Sequence, residues 1–176
     1  MEENVESVPQ GATETVFGWA DAALVGDFAT MWRLMDPDLR LAEAQTWVLA
    51  NEGRPGLERE DQDELATELA QFHSTHRLRP IFEEARVAMA RTSLPTWPRE
   101  RWSPSSDRRL IGEDLDVVLI VDPHVVGSYI PPGGIVGPSG VKVYVTRFSA
   151  AGWHLAGMDY TVAVPGWPPS MATPWA

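Results

Sequence analysis

The sequence contains no cysteine among its 176 residues, which excludes disulfide bonds, thiolate metal sites and cysteine nucleophiles. Positive charge is also scarce, because 14 Lys and Arg side chains stand against 25 Asp and Glu side chains, for a formal net charge of -11. Proteins bind nucleic acids through clustered Lys and Arg side chains. We therefore expect no nucleic-acid partner.

Long apolar runs are missing as well. The longest run, Val117 to Val121, has the length of a buried strand, whereas a membrane-spanning helix needs roughly 18 or more apolar residues. The segment 1–11 is acidic and lacks the basic start and apolar centre of a signal peptide. These absences predict a cytoplasmic protein without a membrane partner. The hydrophobic content of 44% suits one compact domain.

The first half of the chain shows the apolar spacing of helices. Gly26 is placed to end the first helix, because glycine tolerates the left-handed conformation. Asp27 and the Asp36-Pro37 pair are capping signals that begin the next two helices. Two further helices are predicted over 58–77 and 81–94.

The second half changes to the spacing of strands. Strands are predicted over 115–121, 125–130, 141–148 and 153–164, with a hairpin turn at 149–152. Short connections favour antiparallel pairing, so helices followed by strands predict an α+β domain. We place a flexible tail at 1–12, the domain at 13–164 (helical half 13–95, strand half 109–164) and a Pro- and Trp-rich arm at 165–176.

The eight tryptophans fall into two groups. Four are at core-facing positions of the predicted elements, namely Trp19, Trp32, Trp47 and Trp153. The other four lie in proline-rich segments outside those elements, namely Trp97, Trp102, Trp167 and Trp175. Disordered tails usually lack large aromatic residues. We therefore expect the arm to cover an apolar groove on its own or a neighbouring subunit.

Two segments resemble a known superfamily. One runs from Trp19 to Leu39 and contains Gly26-Asp27-Phe28; the other runs from Val143 to Ala156 and contains Gly152-Trp153 after a turn. Together they resemble the nuclear-transport-factor-two-like superfamily, which includes the SnoaL-type polyketide cyclases. The resemblance implies N-terminal helices packed on a curved antiparallel sheet, forming a cone with an apolar pocket, and a homodimer formed through that sheet. The stretch 39–95 departs from the family pattern because it contains more helix.

The resemblance also implies candidate site residues. An acid on the last strand of related cones can act as a general base, which makes Asp159 the candidate base and Tyr129 or Tyr144 the candidate hydrogen-bond donor. The candidate ligand-binding residues are Trp19, Trp32, Trp153 and His124.

Asp159 has a structural alternative. If the hairpin turn pairs Phe148 with Trp153, an uninterrupted register sets Lys142 opposite Asp159, and the two form an ordinary cross-strand ion pair. A one-residue bulge would reverse this outcome.

The sequence offers no complete metal or cofactor motif. His73 and His76 are three residues apart, a spacing that can bind zinc, but the predicted helix supplies no obvious third ligand. We expect no metal and no cofactor. Two functions follow from the pattern: a cofactor-independent isomerase, dehydratase or cyclase acting on a small apolar ligand, or a non-catalytic ligand-binding or protein-interaction module.

Overall fold

The computed structural model describes residues 11–107, 113–125 and 140–175. In these ranges, five α-helices precede a four-stranded antiparallel sheet and a separate two-stranded sheet, which confirms the predicted α+β class. The helices are α1 (Ala12–Val25), α2 (Phe28–Arg33), α3 (Pro37–Ala50), α4 (Gln62–Ala70) and α5 (Arg79–Thr92). The strand predicted over 125–130 and the candidate Tyr129 lie outside the described residues, apart from Val125 in a turn.

The predicted end of the first helix and the predicted starts of the second and third helices are confirmed. Gly26 follows α1 in the left-handed conformation, with φ 86°. Asp27 caps α2 by accepting a hydrogen bond of 3.1 Å from the backbone N–H of Thr30. Asp36 caps α3 by accepting a hydrogen bond of 3.0 Å from the backbone N–H of Asp38. Local side-chain chemistry therefore decides where these helices begin and end.

The helix predicted over 58–77 is wrong in its extent, because α4 ends at Ala70. The last carbonyls of a helix lack intrahelical hydrogen-bond donors. Here a buried arginine of α5 supplies the missing donor. Arg79 Nη1 donates to the carbonyl oxygens of Leu69 at 2.6 Å and Gln71 at 2.9 Å. The chain can therefore leave the helix before His73 and His76.

The four-stranded sheet has the strand order β1-β2-β3-β4, and all its pairs are antiparallel. Its strands are β1 (Ser103–Ser106), β2 (Leu115–Val121), β3 (Val141–Ser149) and β4 (Gly152–Met158). The predicted pairing of Phe148 with Trp153 is confirmed. A bulge between Val145 and Thr146 then shifts the register by one residue. The uninterrupted register that would set Lys142 opposite Asp159 is therefore not formed.

The strand predicted over 153–164 is interrupted. Asp159 and Tyr160 have positive φ values of 51° and 62°, which a continuous strand does not allow. Beyond them, β5 (Val162–Val164) pairs with β6 (Ser170–Ala172) in the separate two-stranded sheet. A break in conformation thus ends β4 and starts a second hairpin.

One core lies between the helices and the sheet, and its largest side chains are aromatic: Trp19, Trp32, Trp47, Phe82 and Tyr144. A second, smaller core includes Val117, Val145 and Val162. Trp102 lies between the regular elements, as predicted; it is nevertheless buried, and its indole N–H donates to the Trp97 carbonyl at 3.1 Å. No helix of the described part of the chain is both long and apolar enough to cross a bilayer.

The C-terminal arm contacts its own chain over residues 165–175. The backbone N–H of Gly166 donates to Gln45 Oε1 at 2.9 Å, and the Trp167 indole N–H donates to the Asp63 carboxylate. Trp175 packs against the second core, and its indole N–H donates to the Tyr160 carbonyl at 3.2 Å. Three hydrogen bonds therefore hold the arm against its own chain.

The outer edge of β4 is covered by the linker between α2 and α3. The backbone N–H of Leu155 donates to the Leu34 carbonyl at 2.8 Å, and the backbone N–H of Asp36 donates to the Leu155 carbonyl at 2.7 Å. Both backbone groups that Leu155 presents on this side are therefore paired.

An ion pair with a buried carboxylate lies at the end of β2. The Asp122 side chain is only 2% exposed, and it accepts from both Nε (3.1 Å) and Nη2 of Arg101 and from the backbone N–H of His124 at 3.0 Å. Burial by itself raises the pKa of Asp122, but the His124 N–H and the Arg101 guanidinium outweigh it and hold the pKa below its usual value.

The Asp122 pair predicts a pH dependence of stability. A carboxyl whose pKa is lowered on folding stabilises the native state above its unfolded pKa of about 3.9, and this contribution is lost as the pH falls through the folded pKa. We expect Asp122→Asn to lower stability at pH 7 and to flatten the loss of stability below about pH 4. Urea midpoints measured between pH 7 and pH 2 test this. The matched control is Glu84→Gln, at an exposed carboxylate on α5; an equal flattening in that variant would contradict the assignment.

Candidate functional site

A cavity of about 90 Å³ lies between the helices and β4. Four of the six methionines of the chain line it, on α2, α5, β4 and the linker after α2: Met31, Met35, Met89 and Met158. Methionine is unbranched and polarizable, so it adapts its shape to different apolar contacts. Met89 is half exposed, which places one wall of the cavity at the surface. The lining can therefore adjust to a small apolar guest.

Two buried hydrogen-bond donors on lining residues have no partner in the part of the chain that the structure describes. They are Nε1 of Trp19 on α1 and Nε of Arg86 on α5. A buried donor left unsatisfied costs about 1–3 kcal/mol. Arg86 keeps its charge compensated, because its Nη1 is ion-paired with the Glu43 carboxylate of α3. The lining is thus mostly apolar, its Arg86–Glu43 ion pair is neutral overall, and two of its residues carry a buried donor without a partner.

Trp32 also lines the cavity, but its indole N–H is already used. It donates to the Ala70 carbonyl at 3.1 Å, and its ring stacks on Phe28 with the centroids 5.0 Å apart. Trp32 therefore contributes an apolar wall with its donor satisfied, whereas Trp19 contributes a wall and has an indole N–H without a partner in the described part of the chain.

Tyr144 lies at the border of this cavity. Its hydroxyl donates at 3.0 Å to the carbonyl of Ser93, which is itself a lining residue. Burial, with a smaller contribution from the negative charge of Asp159, raises the pKa of Tyr144 above its usual value. The phenol therefore stays protonated at neutral pH, and its proton is engaged by a backbone carbonyl.

The other candidate residues lie away from the cavity. Asp159 is exposed in the turn after β4, and its backbone N–H donates to the Val143 carbonyl at 3.2 Å. Its side chain neither lines the cavity nor pairs with Lys142. Trp153 is half-buried and packs on Phe148 at the hairpin, with ring centroids 5.2 Å apart. His124 is exposed beside Asp122. Of the described candidates, the structure brings together Trp19 and Trp32, with Tyr144 beside them.

Sequence reasoning missed Arg86 and Glu43. A signal for Arg86 exists, because it follows Phe82 by four residues and precedes Met89 by three, and so interrupts the apolar face of α5 with a charge. A charged residue at a core-facing position usually marks a buried pair or a site. Its partner Glu43 lies on another helix and has no such signal.

The two histidines considered for zinc are not assembled into a metal site. His76 Nδ1 accepts from the backbone N–H of Leu78 at 3.2 Å, and its Nε2 lies 3.6 Å from Glu60. Within the described ranges, no three His, Asp or Glu side chains are grouped closely enough to hold a metal ion.

The fold and the cavity define an α+β protein with a small, mainly apolar internal site. Comparisons with family models, with curated proteins and with solved structures found no match. The resemblance to the nuclear-transport-factor-two-like superfamily therefore depends on the two sequence segments alone, and the cone shape remains a prediction.

Proposed function

We propose that the protein binds a small apolar molecule carrying one hydrogen-bond acceptor in the methionine-lined cavity. The observation that carries this proposal is the pair of unpartnered buried donors, Trp19 Nε1 and Arg86 Nε, on residues of an apolar lining. A hydrogen-bond acceptor on the ligand would remove the free-energy cost of leaving one or both donors unsatisfied.

The charge of the site favours a neutral ligand. Arg86 and Glu43 already compensate each other, so a charged guest would bring an unpaired charge into an apolar cavity, which is unfavourable. A carbonyl, ether or hydroxyl oxygen meets the donors without that cost. Binding of a neutral, oxygen-bearing ligand is therefore the function that this site supports best.

Isomerase, dehydratase or cyclase chemistry has less support. A general base must reach the proton that it abstracts, and Asp159 lies exposed in a turn outside the cavity lining. The Tyr144 hydroxyl is held by Ser93. Non-catalytic binding is therefore the preferred proposal. The homodimer formed through the sheet and the cytoplasmic location stay predictions.

The proposal predicts a selective effect of Trp19→Phe, which removes the indole N–H and keeps an aromatic ring. We expect it to weaken binding of cyclopentanone about fivefold, because one hydrogen bond contributes about 1 kcal/mol, and to leave binding of cyclopentene unchanged. Both probes are titrated by NMR, and the indole N–H resonance of Trp19 should shift with the ketone alone.

Trp47→Phe is the matched control, because Trp47 is equally buried and lies outside the cavity lining. It should leave both affinities unchanged. The proposal is overturned if Trp19→Phe weakens both probes equally, if Trp47→Phe has the same selective effect, or if neither probe shows saturable binding to the unmodified protein.

A further inference from the structure

A second concavity, of about 320 Å³, lies on the outside of the helical layer between α3 and α4. Its charged group is Arg40 of α3, and the remaining lining is mostly apolar, including Leu41, Ala70 and Phe72. The Arg40 guanidinium carbon lies 3.9 Å from the centroid of the Phe72 ring, a contact that fixes the cation against an aromatic face. This concavity shares no lining residue with the methionine-lined cavity.

Among the described residues, none supplies a hydrogen-bond acceptor to the Arg40 guanidinium. Its Nε and Nη1 are buried and have no hydrogen-bond partner, and none of the carboxylates in residues 11–107, 113–125 and 140–175 forms an ion pair with it. Burial lowers the pKa of Arg40, and the negative charge of Asp36, one turn earlier, opposes this shift in part. The Asp36 carboxylate is already used, because it accepts from Arg147 Nη1 at 3.1 Å and from the backbone N–H of Asp38 at 3.0 Å.

An arginine in this state is an incomplete anion-binding group. Its charge persists at all physiological pH values, and an enclosed donor without an acceptor is costly. Arginines elsewhere in this protein show the completed arrangement: Arg101 is paired with Asp122, and Arg99 with Asp21. Arg40 has the same chemistry but no such carboxylate among the described residues, and it lines the concavity.

The surroundings of Arg40 select among anions. Leu41, Ala70 and Phe72 offer apolar contact to the body of a ligand. The net charge of -11 and the acidic residues of α4, which include Glu64 and Glu68, oppose a multiply charged ligand such as phosphate. A ligand with one carboxylate on an apolar group offers an acceptor to the guanidinium. Its apolar group matches the lining, and its single charge meets less repulsion than phosphate does.

We infer that Arg40 and Phe72 form a second binding site, which takes apolar monocarboxylates such as aromatic or branched-chain acids. The carboxylate accepts from the Arg40 guanidinium, and the apolar body packs against Leu41 and Phe72. This inference is independent of the proposed function, because it concerns a different concavity and a charged ligand.

The test is a titration of the full-length protein with benzoate, followed by NMR and calorimetry. We expect saturable binding of benzoate, with resonance shifts at Thr67 and Phe72, and at least tenfold weaker binding of benzyl alcohol and of inorganic phosphate. Arg40→Gln should weaken benzoate at least tenfold, and Arg40→Lys should weaken it less, because lysine keeps the charge and loses the planar fork.

Two controls locate the effect. Arg54→Gln removes an exposed arginine outside this concavity and should leave benzoate affinity unchanged, and so should Trp19→Phe, which separates this site from the cavity. The inference is overturned if phosphate binds as tightly as benzoate, if Arg40→Gln and Arg40→Lys both retain full benzoate affinity, or if Trp19→Phe abolishes benzoate binding.

Discussion

Replacing Gly157 with alanine is expected to lower the free energy of unfolding by about 3 kcal/mol, at the upper end of the range for overpacking a core. A Cβ atom at position 157 would lie 1.9 Å from the carbonyl oxygen of Thr161 and 2.8 Å from its carbonyl carbon. These are backbone atoms of the turn after β4, which is held by the hydrogen bond of 2.9 Å from Thr161 N–H to the Met158 carbonyl. Urea unfolding followed by circular dichroism measures the loss.

The matched control is Gly53→Ala. No atom lies within 4 Å of a Cβ atom built at Gly53, so the same substitution there should change stability by less than about 0.5 kcal/mol. Equal losses in the two variants would contradict the assignment of the effect to the close approach of the turn to β4.

Phe82→Ala is expected to cost about 4 kcal/mol, as is typical of a fully buried phenylalanine. Phe82 of α5 has no exposed surface. Its ring makes edge contacts with Phe28, Trp32 and Trp47 at centroid distances of 6.2, 5.4 and 5.6 Å. The substitution therefore leaves a void among three aromatic rings from α2 and α3.

A second substitution at position 82, with a larger side chain than alanine, checks that the loss of stability comes from the void. Phe82→Leu keeps most of the apolar volume and should cost about 1 kcal/mol. Chemical denaturation followed by tryptophan fluorescence reports on this cluster directly, because Trp32 and Trp47 belong to it. A loss for Phe82→Ala no larger than that for Phe82→Leu would contradict the packing described for α5.

The elements that could be predicted from the sequence are those whose signals are local. Asp27 and Asp36 cap helices through the backbone a few residues away, and Gly26 ends α1 by its own conformation. The alternation of Val141, Val143 and Val145 marks β3 in the same way. Each signal needs only a short stretch of chain. The order of helices and strands can therefore be predicted without knowledge of tertiary contacts.

The candidate site depends on contacts between distant residues, which no local pattern encodes. The cavity takes Trp19 from α1, Arg86 from α5 and Met158 from β4, and its chemistry depends on which donors remain unpaired after folding. The end of α4 likewise depends on Arg79 of the following helix. The bulge between Val145 and Thr146 moved Asp159 out of the predicted register, and a single residue of slip reverses a strand's faces.

The pairing of Leu155 with the α2–α3 linker has a consequence for how safely this chain folds. An open edge strand is a template on which another molecule can add a strand and begin aggregation. Here the blocking groups, the Leu34 carbonyl and the Asp36 N–H, leave the ribosome well before β4 is synthesised. The segment that pairs with β4 at Leu155 is therefore present when this edge first forms, and we expect a fragment lacking the helical half to leave the edge open at Leu155.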